Sequence, residues 1–260
     1  MKTFKVGKTI FYQHNFAKEA RRKQIKESIK WLKWTALFTS TTIIACLSRS
    51  FWVGAFCALL LIFGLLIFKY KLKFTKLLKL SAIIILTIAL EVSFLFVITG
   101  NLTDNWIKGR FENPTEEAAG MSRIAQLEPL WQSVSQNIML GSGFGKTVIY
   151  ESNDPRILAK SPTGIYETYA FEWGYLDIWL KIGLLGLLVY LYLYYLVFKK
   201  GIELLKKKDE LTILVIALLL GLVSLMATSI FSPYLNHPLG IGYLVLVSSI
   251  INYYLGELRS

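Results

Sequence analysis

Six long apolar stretches constrain the fold of this 260-residue chain more than any other feature. A helix needs about 20 mostly apolar residues to cross a hydrocarbon core roughly 30 Å thick. The stretches that approach or exceed this length are Trp31–Leu47, Phe51–Phe68, Leu80–Thr99, Gly174–Phe198, Leu211–Phe231 and Leu239–Leu255. Because hydrocarbon offers no partner for backbone N–H and C=O groups, each is predicted to be a helix. The sequence therefore predicts an all-α polytopic membrane protein with about six transmembrane helices.

The charged residues are unevenly distributed, and their distribution predicts the orientation of the chain. Residues 1–33 carry ten Lys/Arg and two acids, and residues 69–79 carry five Lys and no acid. Residues 101–173 instead carry six Lys/Arg and nine acids. Since cytoplasmic loops are enriched in Lys and Arg, the acidic interval is predicted to lie outside the cytoplasmic (inner) membrane. The net charge of +12 then needs no nucleic-acid partner to explain it.

These features divide the chain into four parts. A basic cytoplasmic segment (1–30) precedes three transmembrane helices (31–99), one large extracytoplasmic loop (100–173) and three more transmembrane helices (174–260). The loop is expected to be helical with one apolar face, because apolar residues recur in it at steps of three and four. These residues are Ile124, Leu127, Leu130 or Trp131, Val134 and Ile138.

Two ionisable residues in the part of the chain that holds the first three spans are candidates for function. Arg49 stands in the very short connection between spans one and two, where it either ends the helix by reaching to the interface or binds a ligand. Its five donors match a phosphate or pyrophosphate oxygen pair. Glu91 lies in the outer half of span three, where a lone carboxyl costs about 2.5–3.5 kcal/mol unless it is paired. Pairing with another helix explains Glu91 as well as a role beside a site.

The loop holds further candidates. Arg123 lies near the start of the predicted loop helix, and Gly143 and Gly145 belong to a glycine run that fits neither a Walker A nor a dinucleotide loop. The run is either a plain linker or a turn whose N–H groups bind an anion. Glu172 stands at the outer end of span four, where the helix dipole favours a carboxylate. Asp177 and Lys181 are spaced for an ion pair one turn further on.

With these residues assembled, the chain resembles the O-antigen ligase and O-antigen polymerase superfamily of bacterial membrane glycosyltransferases over about residues 30–255. The resemblance is carried by Ser48-Arg49 followed by Trp52-Val53-Gly54, by Arg123 ahead of Trp131, by the turn Leu140–Gly145, and by the helix containing Gly174, Gly183 and Gly186. In such enzymes the large outer loop carries an arginine and a catalytic histidine. The histidine lies a fixed number of residues before a G-x-x-G step. Counted back from Gly183 in this chain, that position is Glu172. A carboxylate therefore stands at the position of the ligase histidine.

The resemblance implies transfer or polymerisation of a glycan from an undecaprenyl-diphosphate carrier onto a lipid or glycan acceptor hydroxyl, at the outer face of the cytoplasmic membrane. It implies no metal and no other cofactor. Arg49 and Arg123 would hold the diphosphate, and Glu172 would be the general base. Further substrate contacts are expected from Gly143, Gly145, Asp154, Arg156 and His237. Family members have about twice as many spans, so the chain resembles their carboxyl-terminal half.

Two rival functions come from other classes of protein. A transporter or flippase component would move a lipid-linked glycan without making bonds, and it would need a polar path across several spans. An inactive scaffold half of a split enzyme would act only with a second polytopic chain. Co-purification of such a chain, together with no transfer by this chain alone, would favour the scaffold or the split enzyme.

Overall fold

The computed structural model of the protein describes residues 27–28, 30–46, 48–99, 118–206 and 212–257. Its helices within these residues are α1 (30–45), α2 (Arg49–Phe68), α3 (Phe74–Thr99), α4 (Ala118–Gln136), α5 (Pro155–Leu158), α6 (Gly174–Leu205), α7 (Thr212–Thr228) and α8 (Pro238–Glu257). Two strands, β1 (Val148–Glu151) and β2 (Ile165–Thr168), flank α5. Most of the basic segment 1–30 and the first part of the predicted loop, 100–117, lie outside the described residues.

The structure confirms the coarse prediction that the chain is a mostly helical membrane protein. Four are long and apolar enough to cross a bilayer, namely α2, α3 over Phe74–Leu95, α6, and α8 over Pro238–Gly256. Helix α7 is apolar but has 17 residues, and the described part of α1 is also short. Six spans, with the loop between the third and the fourth, therefore stay a prediction.

Helix α6 consists of two segments that meet at Gly183. This residue has φ 72° and ψ 177°, which is not helical. The second segment, 184–205, is about 33 Å long at 1.5 Å per residue, enough to cross a hydrocarbon core. The first, 174–182, is only about 13 Å long. The candidate span Gly174–Leu205 begins at Gly174, as the predicted fourth span does, and its second segment alone is long enough to cross the membrane.

The first segment of α6 lies between two apolar clusters. On one side Ile178 belongs to the core of the α6–α8 bundle, in which Tyr194, Leu222 and Val247 are fully buried. On the other side Leu180 belongs to a smaller cluster with Leu130, Val134, Val148 and Phe171 from the loop. The segment therefore joins the loop to the membrane bundle.

The N-terminal helices meet their neighbours through polar groups and small residues. Glu91 on α3 is buried and accepts hydrogen bonds from Ser40 Oγ (2.6 Å) and Thr41 Oγ1 (3.2 Å) on α1. The pairing of Glu91 with another helix, one of the two explanations given above, is thus present. Trp52 Nε1 on α2 donates to the Ile43 carbonyl on α1 at 3.0 Å. These contacts hold α1 beside both α2 and α3.

The loop is only partly helical. Strands β1 and β2 form an antiparallel pair in which Tyr150 faces Tyr166, and the periodicity of the sequence did not predict them. Only Leu130 and Val134 of the expected apolar face of α4 are buried. Ile124, Leu127 and Trp131 are exposed, and so is Ile138, which lies beyond the end of α4. The packed part of the loop is therefore α4, the hairpin and the chain before α6.

Candidate functional site

Arg123 and Glu172 form an ion pair where the loop meets the membrane bundle. Arg123 lies on α4 and Glu172 lies two residues before α6, and the Arg123 Nε donates to Glu172 Oε2. Both side chains are partly exposed, by 30% and 38% respectively. The pair is therefore fixed by tertiary contacts and still accessible to a ligand.

A buried polar network supports this pair. The Glu172 backbone N–H donates to Gln126 Oε1 (3.4 Å), and Gln126 Nε2 donates to the Tyr150 hydroxyl (2.9 Å). The Ser122 hydroxyl lies 3.1 Å from the same Tyr150 oxygen. Trp173 Nε1 donates to the Arg123 carbonyl at 2.8 Å. Because buried polar groups are costly to leave unpaired, these bonds hold α4, β1 and the Glu172 backbone in one arrangement.

Arg49 lies at the same end of the bundle. It is the first residue of α2, and the adjacent Ser50 is buried and accepts a hydrogen bond from Ser232 Oγ at 2.9 Å. The ring of Trp173, next to Glu172, packs on Phe231 with the centroids 5.8 Å apart. Ser50, next to Arg49, thus contacts Ser232, and Trp173, next to Glu172, contacts Phe231. Because residues 231 and 232 are adjacent, Arg49 and Glu172 lie in the same region.

The glycine run is a turn that docks on the break in α6. The Ser142 and Gly143 N–H groups donate to the carbonyls of Leu180 (2.6 Å) and Lys181 (3.0 Å). In return the N–H groups of residues 184 and 185 donate to the carbonyls of residues 138 and 139. A helix break leaves such groups without intrahelical partners. The turn therefore supplies the backbone partners that α6 lacks at Gly183.

The close approach explains why glycines face each other here. Gly141 has φ 75° and a Cβ at that position would overlap the Gly183 backbone, while a Cβ at Gly183 would overlap the Met139 carbonyl. The Gly143 N–H, one of the predicted anion donors, instead donates to the Lys181 carbonyl. Gly145 is exposed, with open space around it. The glycine run thus has a structural use that the sequence did not reveal.

The predicted ion pair between Asp177 and Lys181 is present. Lys181 Nζ lies 2.7 Å from Asp177 Oδ1, and Asn236 Nδ2 donates to Asp177 Oδ2 at 2.8 Å. The side chains of Asp177 and Lys181 are only 2% and 9% exposed. Asn236 comes from the connection between α7 and α8, so the pair fixes that connection against the first segment of α6.

The remaining predicted contacts occupy different places. Asp154 is 2% exposed and directly precedes α5, and its carbonyl accepts from the N–H groups of residues 157 and 158 of that helix. The side chain of Arg156 is not among those described. His237 is exposed at the start of α8, where its Nδ1 accepts from the Leu239 N–H at 3.3 Å. Its ring lies 5.9 Å from that of Tyr234, which also packs on Phe51 of α2. His237 is therefore at the same end of the bundle as Arg49.

Sequence reasoning missed the residues beneath the ion pair. Gln126 carried a usable signal, since it follows Arg123 by three residues and so neighbours it on the same helix. Tyr150 carried none, because it comes from a strand whose pairing the periodicity did not predict.

Comparisons with known proteins identify the family. A family model described as O-antigen ligase matches residues 34–191, which is more than half of the chain. The match includes Arg49, Arg123, the glycine turn, Glu172 and the break at Gly183. Neither a curated protein nor a solved structure matches the chain. This multi-pass membrane protein therefore belongs to the O-antigen ligase family.

Proposed function

We propose that this protein transfers or polymerises glycans from an undecaprenyl-diphosphate carrier onto an acceptor hydroxyl, at the outer face of the cytoplasmic membrane. The observation that carries this proposal is the partly exposed ion pair of Arg123 and Glu172 at the junction of loop and bundle. The Arg123 guanidinium can bind phosphate oxygens, and the Glu172 carboxylate can accept a proton. Family membership supports a glycan ligase or polymerase role of this kind.

Glu172 is proposed to be the general base. The acceptor hydroxyl attacks the sugar carbon that bears the diphosphate, and its proton passes to the Glu172 carboxylate. The bond between that carbon and the diphosphate oxygen breaks, and its electron pair leaves with the diphosphate. The hydrogen bond from the Glu172 N–H to Gln126 and the packing of Trp173 hold the carboxylate in place during this step.

The arginines are proposed to supply the positive charge that the leaving diphosphate needs. A guanidinium binds two phosphate oxygens at once, and its charge counts most where negative charge develops. Arg123 binds Glu172 in the present structure. A diphosphate that takes over the Arg123 guanidinium would leave the Glu172 carboxylate able to accept a proton. Substrate binding would in this way prepare the base.

Arg49 and His237 are placed for supporting contacts. Arg49 begins α2 at the same end of the bundle, so it is proposed as the second diphosphate ligand. His237 is exposed there and is proposed to contact the acceptor or a headgroup. Asp154 is a weaker candidate, since its side chain is buried.

The test compares variants in membranes whose surface glycan depends on this protein. Glu172→Gln keeps the shape of the side chain and removes the base, so transfer should fall by about 10²- to 10⁴-fold. Arg49→Ala and Arg123→Ala should also lose transfer. Glu151→Gln is the matched control, because Glu151 is an exposed carboxylate of the same loop. Intact transfer in both Arg49→Ala and Glu172→Gln would refute the assigned roles.

A further inference from the structure

An exposed apolar surface runs along α4 and into the turn that follows it. We call it the apolar stripe; it consists of Ile124, Leu127, Trp131, Ile138, Leu140 and Phe144. Its three α4 members recur at steps of three and four, so they share one helix face. Exposure ranges from 39% at Leu127 to 79% at Leu140. Leu130 and Val134, which pack on the loop core from the same helix, are at most 2% exposed. Helix α4 therefore has one apolar face for its own core and another that the described chain leaves uncovered.

The position of the turn indicates what covers the stripe. Its backbone is hydrogen-bonded to residues 180–185, around the break at Gly183 within the candidate span Gly174–Leu205. The first turns after the break expose Leu185, Leu188 and Val189. An uncovered apolar patch marks a contact with protein or with a membrane. Here the patch continues onto the surface of a candidate span, which favours lipid.

Two tryptophans strengthen this placement. The rings of Trp131 and Trp179 meet edge to face with the centroids 5.7 Å apart. Trp179 Nε1 donates to the Ile138 carbonyl at 3.0 Å. Tryptophan is enriched at membrane–water interfaces, where its apolar ring and polar N–H are both satisfied. The pair therefore lies where α4, the turn and α6 would meet the interface.

We propose that the apolar stripe inserts into the lipid leaflet on the loop side of the membrane, so that α4 lies in the membrane plane. An amphipathic helix in this position buries its apolar face about 5–10 Å into the boundary between headgroups and acyl chains. The inference does not depend on the chemistry proposed for Glu172. Its consequence is that Arg123, which precedes Ile124, is held close to the headgroups.

The experiment places a nitroxide at single cysteines in the full-length protein, in a background with Cys46→Ala and Cys57→Ala. Leu127→Cys, Leu140→Cys and Phe144→Cys sample the stripe. Gln136→Cys and Asn153→Cys are the controls, because both positions are exposed and polar. The proteins are reconstituted in vesicles of phosphatidylethanolamine and phosphatidylglycerol. Collision of each nitroxide with oxygen, which concentrates in lipid, is compared with collision with a water-soluble nickel chelate.

The three possible results separate lipid from the other environments. High oxygen and low nickel collision at the stripe, with the reverse at both controls, is the expected result and gives the depth of insertion. High nickel collision at the stripe would place it in water and overturn the proposal. Low collision with both reagents would mean that protein covers the stripe, and would also overturn it. Folding is not at risk, because every labelled side chain is exposed.

Discussion

Two regions of the molecule differ in how their elements pack. One consists of the N-terminal helices α1–α3, and the other is the C-terminal unit, which consists of the loop and helices α6–α8. In the candidate spans of α2 and α3, 6% and 11% of the residues are buried within the protein, against 33% in α6 and 28% in α8. The C-terminal unit has a large apolar core around Tyr194 and Leu222. The N-terminal helices instead rely on hydroxyls, one carboxyl and the close approach at Gly54.

The contacts of the N-terminal helices are those expected in lipid. Lipid tails are as apolar as leucine, so apolar side chains gain little by leaving lipid for protein. Helices associate there through small residues and hydrogen bonds, as α2 does with α7 at Gly54, and with Ser232 just beyond α7 at Ser50. The loop contains strands and buries apolar side chains in its own core, so it gains from the hydrophobic effect. The site lies where the two kinds of packing meet.

The largest expected effect comes from the buried ion pair of the C-terminal unit. Lys181→Met leaves the Asp177 carboxylate buried without its cation, which should destabilise the protein by about 3–5 kcal/mol. Thermal unfolding in vesicles or detergent measures this loss. The double variant Asp177→Asn, Lys181→Met is the control, because it removes the charge and keeps an oxygen for Asn236. Equal losses in the single and double variants would show that the charge pair is not what fixes this unit.

A smaller effect is expected where the two regions join. Gly54→Leu forces a side chain against Ser224 and Thr228 of α7. Overpacking of this kind costs about 1–3 kcal/mol, so α2 should move away from α7. A disulfide engineered between α2 and α7 should then form less readily. Gly64→Leu is the matched control on the same helix, because open space surrounds Gly64. Similar behaviour of both variants would mean that close contact at Gly54 does not hold α2.

The smallest effect is expected at Glu91. Glu91→Gln keeps an oxygen that can accept from Ser40 and Thr41, so stability should change by no more than about 0.5 kcal/mol. Glycan transfer should stay at the level of the unaltered protein. Glu91→Leu is the comparison variant, because it removes the acceptor and should cost about 1 kcal/mol. Loss of transfer in Glu91→Gln at unchanged stability would place part of the function in the N-terminal helices.

The individual residues of the site were easier to predict than their arrangement. Glu172 stood out because it lies at the edge of a predicted span, and Arg123 because the family resemblance places an arginine in the outer loop. Their direct pairing is a contact between residues 49 positions apart, and only packing of α4 on the first segment of α6 brings it about. The glycine turn was visible as a motif, yet its fit to the break at Gly183 was not. Backbone groups left free by a helix break can be paired from anywhere in the chain.

The sequence by itself determined the solvent, the helical class and the family. Length and polarity of the apolar stretches set the first two. The family follows from short motifs such as the turn Leu140–Gly145, which can be recognised without any distant contact. The tertiary structure decided where α6 breaks, which face of α4 is buried, and that Arg123 meets Glu172 above a buried network of Gln126 and Tyr150. Those outcomes depend on which surfaces fit together. A hydrogen bond or a packed face between two elements depends on both segments, which are far apart in the chain. The periodicity of one segment does not predict which other segment it contacts.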